Sequence, residues 1–309
     1  MGGLALAALG PTAQGPLSVS LVSARTQLVG VFAHPVGHSH SPAMHNAAFA
    51  ALGLDWLYLP FDVPPARLGD ALRALPALGL RGVNLTIPHK QSAISLVDEV
   101  APGAVAAGAI NTVVCEDGRL VGHNTDGDGF LRPLKEEGLC PAGKRAVLLG
   151  AGGAARAIAV SLLGAGVSAL CIANRTASRA QQLAQLLAGA APAGVRLRGL
   201  PLDSPDVRAA LQDADLLVNS TSVGMYPRAQ SPPPVREDWL HPGLFVYDIV
   251  YNPLETRLLR AARGQGCATL NGVRMLVGQG ALAFELWTGM RAPASLMEQA
   301  LLGSLAAAG

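Results

Sequence analysis

An apolar run, Ala146–Leu149, enters a Gly-x-Gly-x-x-Ala turn at Gly150, Gly152 and Ala155, and an Ala-rich helix leaves it. In that context the glycine pattern reads as a dinucleotide site, because glycine lets the backbone approach a pyrophosphate seated on the helix N-terminus. Gly150, Ala151, Gly152, Gly153 and Ala154 are its candidate residues. The next strand ends in Asn174-Arg175-Thr176, with Arg179 beyond, where an acidic residue would hold a ribose 2′-hydroxyl. Guanidinium groups there suit a 2′-phosphate, so the expected cofactor is NADP(H) rather than NAD.

A second set of residues could move a proton. His38-Ser39-His40-Ser41-Pro42, Asn84-Leu85-Thr86-Ile87-Pro88-His89-Lys90 and Gly122-His123-Asn124-Thr125-Asp126-Gly127 are polar clusters where strands should end. Loops at the carboxyl ends of strands are where α/β folds place function. Local roles account for part of this, with Ser41 as an N-cap before Pro42 and Asp126 as the N-cap of the next helix. Capping does not account for Lys90. Hydride delivery to a carbonyl leaves negative charge on oxygen, and a cation that can also release a proton stabilises it. Lys90 with Asp126 fits that task, and a purely structural ion pair fits the spacing nearly as well.

Alternating strand-like and helix-like segments must position these groups. Strands are expected at Leu28–Phe32, Trp56–Val63 and Gly82–Thr86, with a hairpin of Ile110–Val114 and Arg119–Gly122. Helices are expected at Pro42–Leu52, Pro64–Leu78 and Asp126–Glu137. After the strand at Ala146 come strands near Ser168–Ala173, Val195–Gly199, Asp215–Asn219, Leu244–Ile249 and Ala268–Leu270, then helices Val273–Trp287 and Pro293–Leu305. Such alternation predicts an α/β protein with mainly parallel sheets. Residues 27–124 with 264–309 are expected to form an N-terminal α/β substrate-binding and catalytic domain, to which the closing helices return. Residues 125–263 are expected to form a Rossmann-type NADP-binding domain, and the Ala/Gly/Leu/Pro-rich residues 1–26 a disordered extension. A secretory signal needs a basic start, and no Lys or Arg precedes Arg25.

With 309 residues, 50% of them hydrophobic and 14% charged, the chain can bury two cores. A net charge of +2 and the lack of a basic run weigh against nucleic acid or an anionic membrane as partner. No apolar stretch reaches the ~18 residues of a membrane span. Cys115, Cys140, Cys171 and Cys267 are scattered, which favours a reducing, cytoplasmic location. His34, His38, His40 and His45 cluster but lack a Cys or carboxylate at ligand-like spacing. They read as hydrogen-bonded loop residues at a pocket rim, with no metal expected.

From Leu28 to Trp287 the chain resembles the shikimate dehydrogenase family. The matching pieces, in that family's order, are His-Ser-His-Ser-Pro, Asn-Leu-Thr-Ile-Pro-His-Lys, Gly-Ala-Ile-Asn-Thr, Asn-Thr-Asp-Gly and Gly-Ala-Gly-Gly-Ala. Asn-Arg-Thr, Asn-Ser-Thr-Ser-Val-Gly-Met, Tyr-Asp-Ile-Val-Tyr-Asn-Pro and Asn-Gly-Val-Arg-Met-Leu-Val-Gly-Gln-Gly follow. The resemblance implies NADPH-dependent reduction of 3-dehydroshikimate to shikimate, with Lys90 transferring the proton beside Asp126. It implies that Ser39 and Ser41 bind the substrate carboxylate, and that Thr86, Asn111, Asp126, Tyr251 and Gln279 read the ring hydroxyls. It further places Asn174, Arg175, Thr176 and Arg179 at the 2′-phosphate, and Thr221, Ile249, Gly272 and Met275 at the nicotinamide. Keeping both serines favours shikimate over quinate. A quinate/shikimate dehydrogenase of broader NAD(P) use, and a non-catalytic shikimate-binding regulator on the same fold, are the rival readings. A small-molecule substrate and a monomer or homodimer are expected.

Overall fold

The computed structural model describes residues 22–308. The first half is built from β1 (Gln27–Ala33), α1 (Ser41–Ala51), β2 (Trp56–Asp62), α2 (Leu68–Ala77), β3 (Leu80–Leu85), β4 (Glu99–Val100), α3 (Pro102–Ala107), β5 (Thr112–Glu116) and β6 (Arg119–His123). These strands form one mixed sheet in the order β2-β1-β3-β5-β6-β4, with β5 antiparallel to both neighbours. Helix α4 (Asp126–Glu136) then crosses to a second set of elements. They are β7 (Arg145–Leu149), α5 (Gly153–Gly164), β8 (Ala169–Asn174), α6 (Ala177–Ala188), β9 (Arg196–Pro201), α7 (Pro205–Gln212), β10 (Leu216–Asn219), β11 (Phe245–Asp248), α8 (Arg257–Gly264) and β12 (Ala268–Leu270). Two long helices close the chain, α9 (Gly272–Thr288) and α10 (Ala294–Ala308).

The second sheet is wholly parallel, in the order β12-β11-β10-β7-β8-β9. This is the doubly wound order, and its direction reverses between β7 and β10, where a crevice opens at the strands' carboxyl ends. Leu216–Asn219 is buried at every position, as a parallel strand covered on both faces requires. Phe130, Leu148, Ile158 and Leu162 pack one face, and Val147, Leu217, Val246 and Leu259 the other. The closing helices return to the first sheet, where Phe284, Trp287, Met297 and Leu301 share a core with Val29, Val31, Phe49 and Tyr58.

Close helix contact sets the relation between α4 and α9. A Cβ on Gly129 would lie 2.5 Å from the Gln279 amide nitrogen, and one on Gly278 would lie 2.6 Å from the Gly129 carbonyl oxygen. Only glycine permits this crossing, which brings the start of α4 beside the middle of α9. The Arg156 guanidinium on α5 donates two hydrogen bonds, at 3.1 and 3.0 Å, to the Ala106 carbonyl at the end of α3. Helix α3 of the first half is thus tied to α5 of the second.

Several local expectations are corrected. The helix expected at Pro64–Leu78 is a short 3₁₀ turn, Pro65–Arg67, followed by α2: Pro65 keeps Pro64 extended, and the turn closes with the Arg67 amide on the Pro64 carbonyl at 2.8 Å. The strand expected from Ile110 starts at Thr112, because the Ile110 amide donates to the Lys90 carbonyl at 2.7 Å instead of joining the ladder. Residues 1–21 of the expected extension lie outside the described residues. Ser23 and Thr26, also expected within it, donate hydroxyl hydrogen bonds to Asp55 at 2.9 and 2.6 Å.

His45 is not a loop residue at a rim. It sits on α1, fully buried, with its ring stacked on Tyr58 at 4.3 Å and neither ring nitrogen bonded. Burial pushes its pKa down to about 3. The unfolded chain therefore binds a proton below about pH 6.5 that the folded chain refuses, so stability is lost as pH falls. We expect His45→Leu to remove a loss of ~2 kcal/mol between pH 7 and pH 5. Parallel pH profiles of denaturant-derived stability for the two proteins would expose a missing effect.

Candidate active site

Lys90 lies after the cis Ile87–Pro88 bond, in the loop leaving β3. Its Nζ donates to Asp126 Oδ2 at 2.6 Å, and the two side chains are 24% and 6% exposed. Asp126 opens α4, and its other oxygen accepts a hydrogen bond from Asn111 Nδ2 at 2.8 Å. Asn111 is buried, and it also donates to Thr125 Oγ1 at 2.9 Å and to Gln279 Oε1 at 3.4 Å. The carboxylate is thereby held by Lys90 and Asn111, while the half-buried ammonium faces the cleft.

That cleft holds a cavity of about 490 Å³ at the carboxyl ends of both sheets. Ser39, Ser41, Thr86, Lys90, Asp126, Tyr251 and Gln279 line it, together with Ala154, Ile249, Gly272 and Met275. Burial raises the Tyr251 pKa, so its phenol keeps its proton and can donate. Thr86, Ile87, Lys90 and Ala154 also border a second cavity of about 780 Å³, which runs past Ala151, Gly152 and Gly153 to Arg179.

This second groove has the properties a pyrophosphate requires. Gly150 adopts φ +111°, and a Cβ there would lie 2.6 Å from Ser220 Oγ. The space beside Gly152 and Gly153 is open, and Gly152 caps α5 without a side chain, leaving the first amides for an anion. Arg175 lines a separate cavity with Leu202, Pro232 and Trp239. Among the described residues neither Arg175 nor Arg179 is held in an ion pair. Both guanidinium groups are therefore available to a phosphate.

Two capping expectations fail. Helix α1 starts at Ser41 with His40 as its N-cap, and α4 starts at Asp126 with Thr125 as its N-cap; neither cap makes a side-chain hydrogen bond. The Ser41 amide instead donates to Ser39 Oγ at 3.4 Å, and the Asp126 carboxylate turns to Lys90 and Asn111. Asn111 lies behind the cavity rather than in its lining, whereas Thr221, Asn174, Thr176 and Gly150 line none of the cavities described. Thr221 is tied to Asn219 Oδ1 by its amide and hydroxyl at 3.1 and 2.7 Å, and Asn174 donates to the Thr176 carbonyl at 3.0 Å. His34 and His38 do reach the rim, His34 bonded to Asp62 at 2.6 Å. Among the described residues no group of three or more His, Cys, Asp or Glu could hold a metal ion.

Asn84, which opens one of the polar clusters but was given no role of its own, lines the cavity and is bonded to Tyr58, Thr112 and the Asn111 carbonyl. Asp248, a buried carboxylate within a matching motif, likewise had no role of its own.

A doubly wound dinucleotide-type sheet, joined across a cleft to a sheet that presents a lysine–carboxylate pair, defines a two-domain oxidoreductase. Three profiles match: shikimate dehydrogenase substrate binding domain over residues 31–113, shikimate/quinate 5-dehydrogenase over 135–226, and shikimate 5′-dehydrogenase C-terminal domain over 272–302. A protein named shikimate dehydrogenase (NADP(+)) from Moorella thermoacetica is 53% identical over 287 residues, covering 93% of this chain and 96% of the relative. A crystal structure of shikimate dehydrogenase in complex with NADP+ superposes with a TM-score of 0.88 at 40% identity, covering 94% of this chain and 99% of that one. The Thermus thermophilus shikimate 5-dehydrogenase in complex with NADP(H) and shikimate gives 0.81 at 40% identity, covering 90% and 99%. The chain belongs to the shikimate dehydrogenase family.

Proposed function

We propose that this chain catalyses the reversible NADPH-dependent reduction of 3-dehydroshikimate to shikimate, within the synthesis of chorismate and the aromatic amino acids. The observation that carries this reading is the Lys90–Asp126 pair at 2.6 Å, set in a cavity that continues into the glycine-lined groove. NADPH, when bound, supplies a hydride to the carbonyl carbon. Lys90 donates a proton from Nζ to the carbonyl oxygen as charge develops there, and it recovers that proton from the hydroxyl in the reverse direction. Asp126 keeps the ammonium aimed into the cavity, and Asn111 keeps Asp126 from turning away. Ser39 and Ser41 receive the substrate carboxylate, and Thr86, Tyr251 and Gln279 read the ring hydroxyls. Each such donor loses a partner when a ligand lacks the matching group, which gives selectivity for a polyhydroxy acid. Ile249, Gly272 and Met275 form the apolar wall for the nicotinamide and keep water from it.

Arg175 and Arg179 select NADP(H) through its 2′-phosphate. We take the enzyme to be cytoplasmic, on the scattered cysteines, and to act on small molecules as monomer or homodimer; among the described residues no helix is long and apolar enough to cross a membrane. Adding shikimate to the protein and NADP+ should produce the absorbance of reduced nicotinamide. Saturable shikimate binding with no such absorbance would mark a binding protein instead.

A further inference from the structure

One buried charge has no part in the proton transfer. Asp248, at the end of β11, is fully buried, and among the described residues it contacts no cationic side chain. Its carboxylate accepts from Asn219 Nδ2 at 2.9 Å, from the Val250 amide at 3.1 Å and from the Thr256 hydroxyl at 2.6 Å. Each donor belongs to a different segment. Asn219 in turn holds Thr221, Val250 accepts the Gly272 amide at 3.0 Å, and Ile249 is the next residue of the chain. Asp248 therefore ties together three positions assigned to the nicotinamide end of the cleft.

A hydrogen-bonded but uncompensated carboxylate is a costly way to brace loops, since neutral groups could make comparable bonds. Burial pushes its pKa up to about 6, so it is ionised at neutral pH only against a penalty. The groups facing it are uncharged: Asn219 from β10, the Val250 amide from its own loop and Thr256 from the start of α8. The flanking Glu255 pairs outward with Arg260 and Arg263, and Arg257 donates to the Gln230 carbonyl. Oxidised nicotinamide carries a positive charge that reduced nicotinamide lacks.

We propose that the negative charge of Asp248 makes the cleft favour the oxidised over the reduced cofactor. This rests on the reading of the cleft as an NADP(H) site. Asp248→Asn is nearly isosteric: its oxygen can still accept from Asn219 and Val250, and its amide can donate to Thr256. Dissociation constants for NADP+ and NADPH, measured by calorimetry at pH 8 without substrate, give the readout. The ratio Kd(NADP+)/Kd(NADPH) should rise roughly tenfold in the variant, the scale of one screened unit charge. In the wild type the same ratio should rise several-fold from pH 8 to pH 5.5, and it should stay flat in the variant. The 2′-phosphate also titrates in this range, but it does so in both nucleotides and cancels in the ratio.

Equal weakening of both nucleotides in the variant, with a flat wild-type ratio, would reduce Asp248 to a brace and overturn the proposal. A variant that fails to fold leaves the wild-type pH series to decide. A wild-type protein that binds neither nucleotide would overturn the cofactor reading together with this proposal, whereas tight binding of both with an unmoved ratio sinks this proposal alone.

Discussion

Replacing Lys90 with alanine is expected to lower kcat by ~10²–10⁴-fold, the usual worth of a positioned proton donor. Neither Asp126 nor the two serines can take its place. Asp126 is a carboxylate already engaged by Lys90 and by Asn111, and Ser39 and Ser41 are neutral hydroxyls on another loop. Affinity for NADPH should stay near wild type, because the glycine turn, Arg175 and Arg179 lie on the second sheet and are untouched. Asp126→Asn is the companion measurement. It keeps the shape of the side chain and removes the charge that aims Lys90, so kcat should fall less than with Lys90→Ala. Full turnover in Lys90→Ala would remove the lysine from the chemistry and leave the pair as a structural contact.

The second large effect concerns the cofactor. Arg175 follows β8 and Arg179 lies in the first turn of α6, so both can approach a phosphate at the same helix start. A charge-assisted hydrogen bond to phosphate contributes ~1.5–3 kcal/mol, so losing both guanidinium groups should weaken NADP+ by ~10²-fold or more. NAD+, which lacks the phosphate, should lose no more than a few-fold. Dissociation constants for both nucleotides with Arg175→Ala, Arg179→Ala and the double variant test this. Equal losses for the two nucleotides would refute the phosphate assignment.

The cofactor groove was legible because its signals are local. A glycine turn, an apolar strand before it and two arginines after the next strand lie within Ala146–Arg179, and the parallel sheet followed from the same alternation. Most of the residues that line the cleft cavity were named from the sequence, but not their geometry. Lys90 and Asp126 are 36 positions apart, and Asn111 meets Gln279 across 168. The neighbouring strands β3, β5 and β6 bring Lys90, Asn111 and Asp126 together, and the return of α9 through the Gly129–Gly278 crossing adds Gln279. Capping rules misread Asp126 because the distant Lys90 and Asn111 outcompeted the nearby amides, and Ser41 because α1 begins on it, with His40 at the N-cap. His45 was grouped with the loop histidines by spacing, although helix α1 turns it into the core against Tyr58. Asn84 and Asp248 were given no role of their own because a polar residue inside an apolar strand carries no local sign of the partners that satisfy it.

Whether the cleft serves one polyhydroxy acid with one cofactor is decided by a four-way comparison. Values of kcat/KM would be measured for shikimate and for quinate, each with NADP+ and with NAD+. Shikimate with NADP+ should exceed every other combination by ~10²-fold or more, because buried polar groups and a phosphate clamp both discriminate. Quinate or NAD+ within a few-fold of that value would contradict it and make the protein a dehydrogenase of broad use.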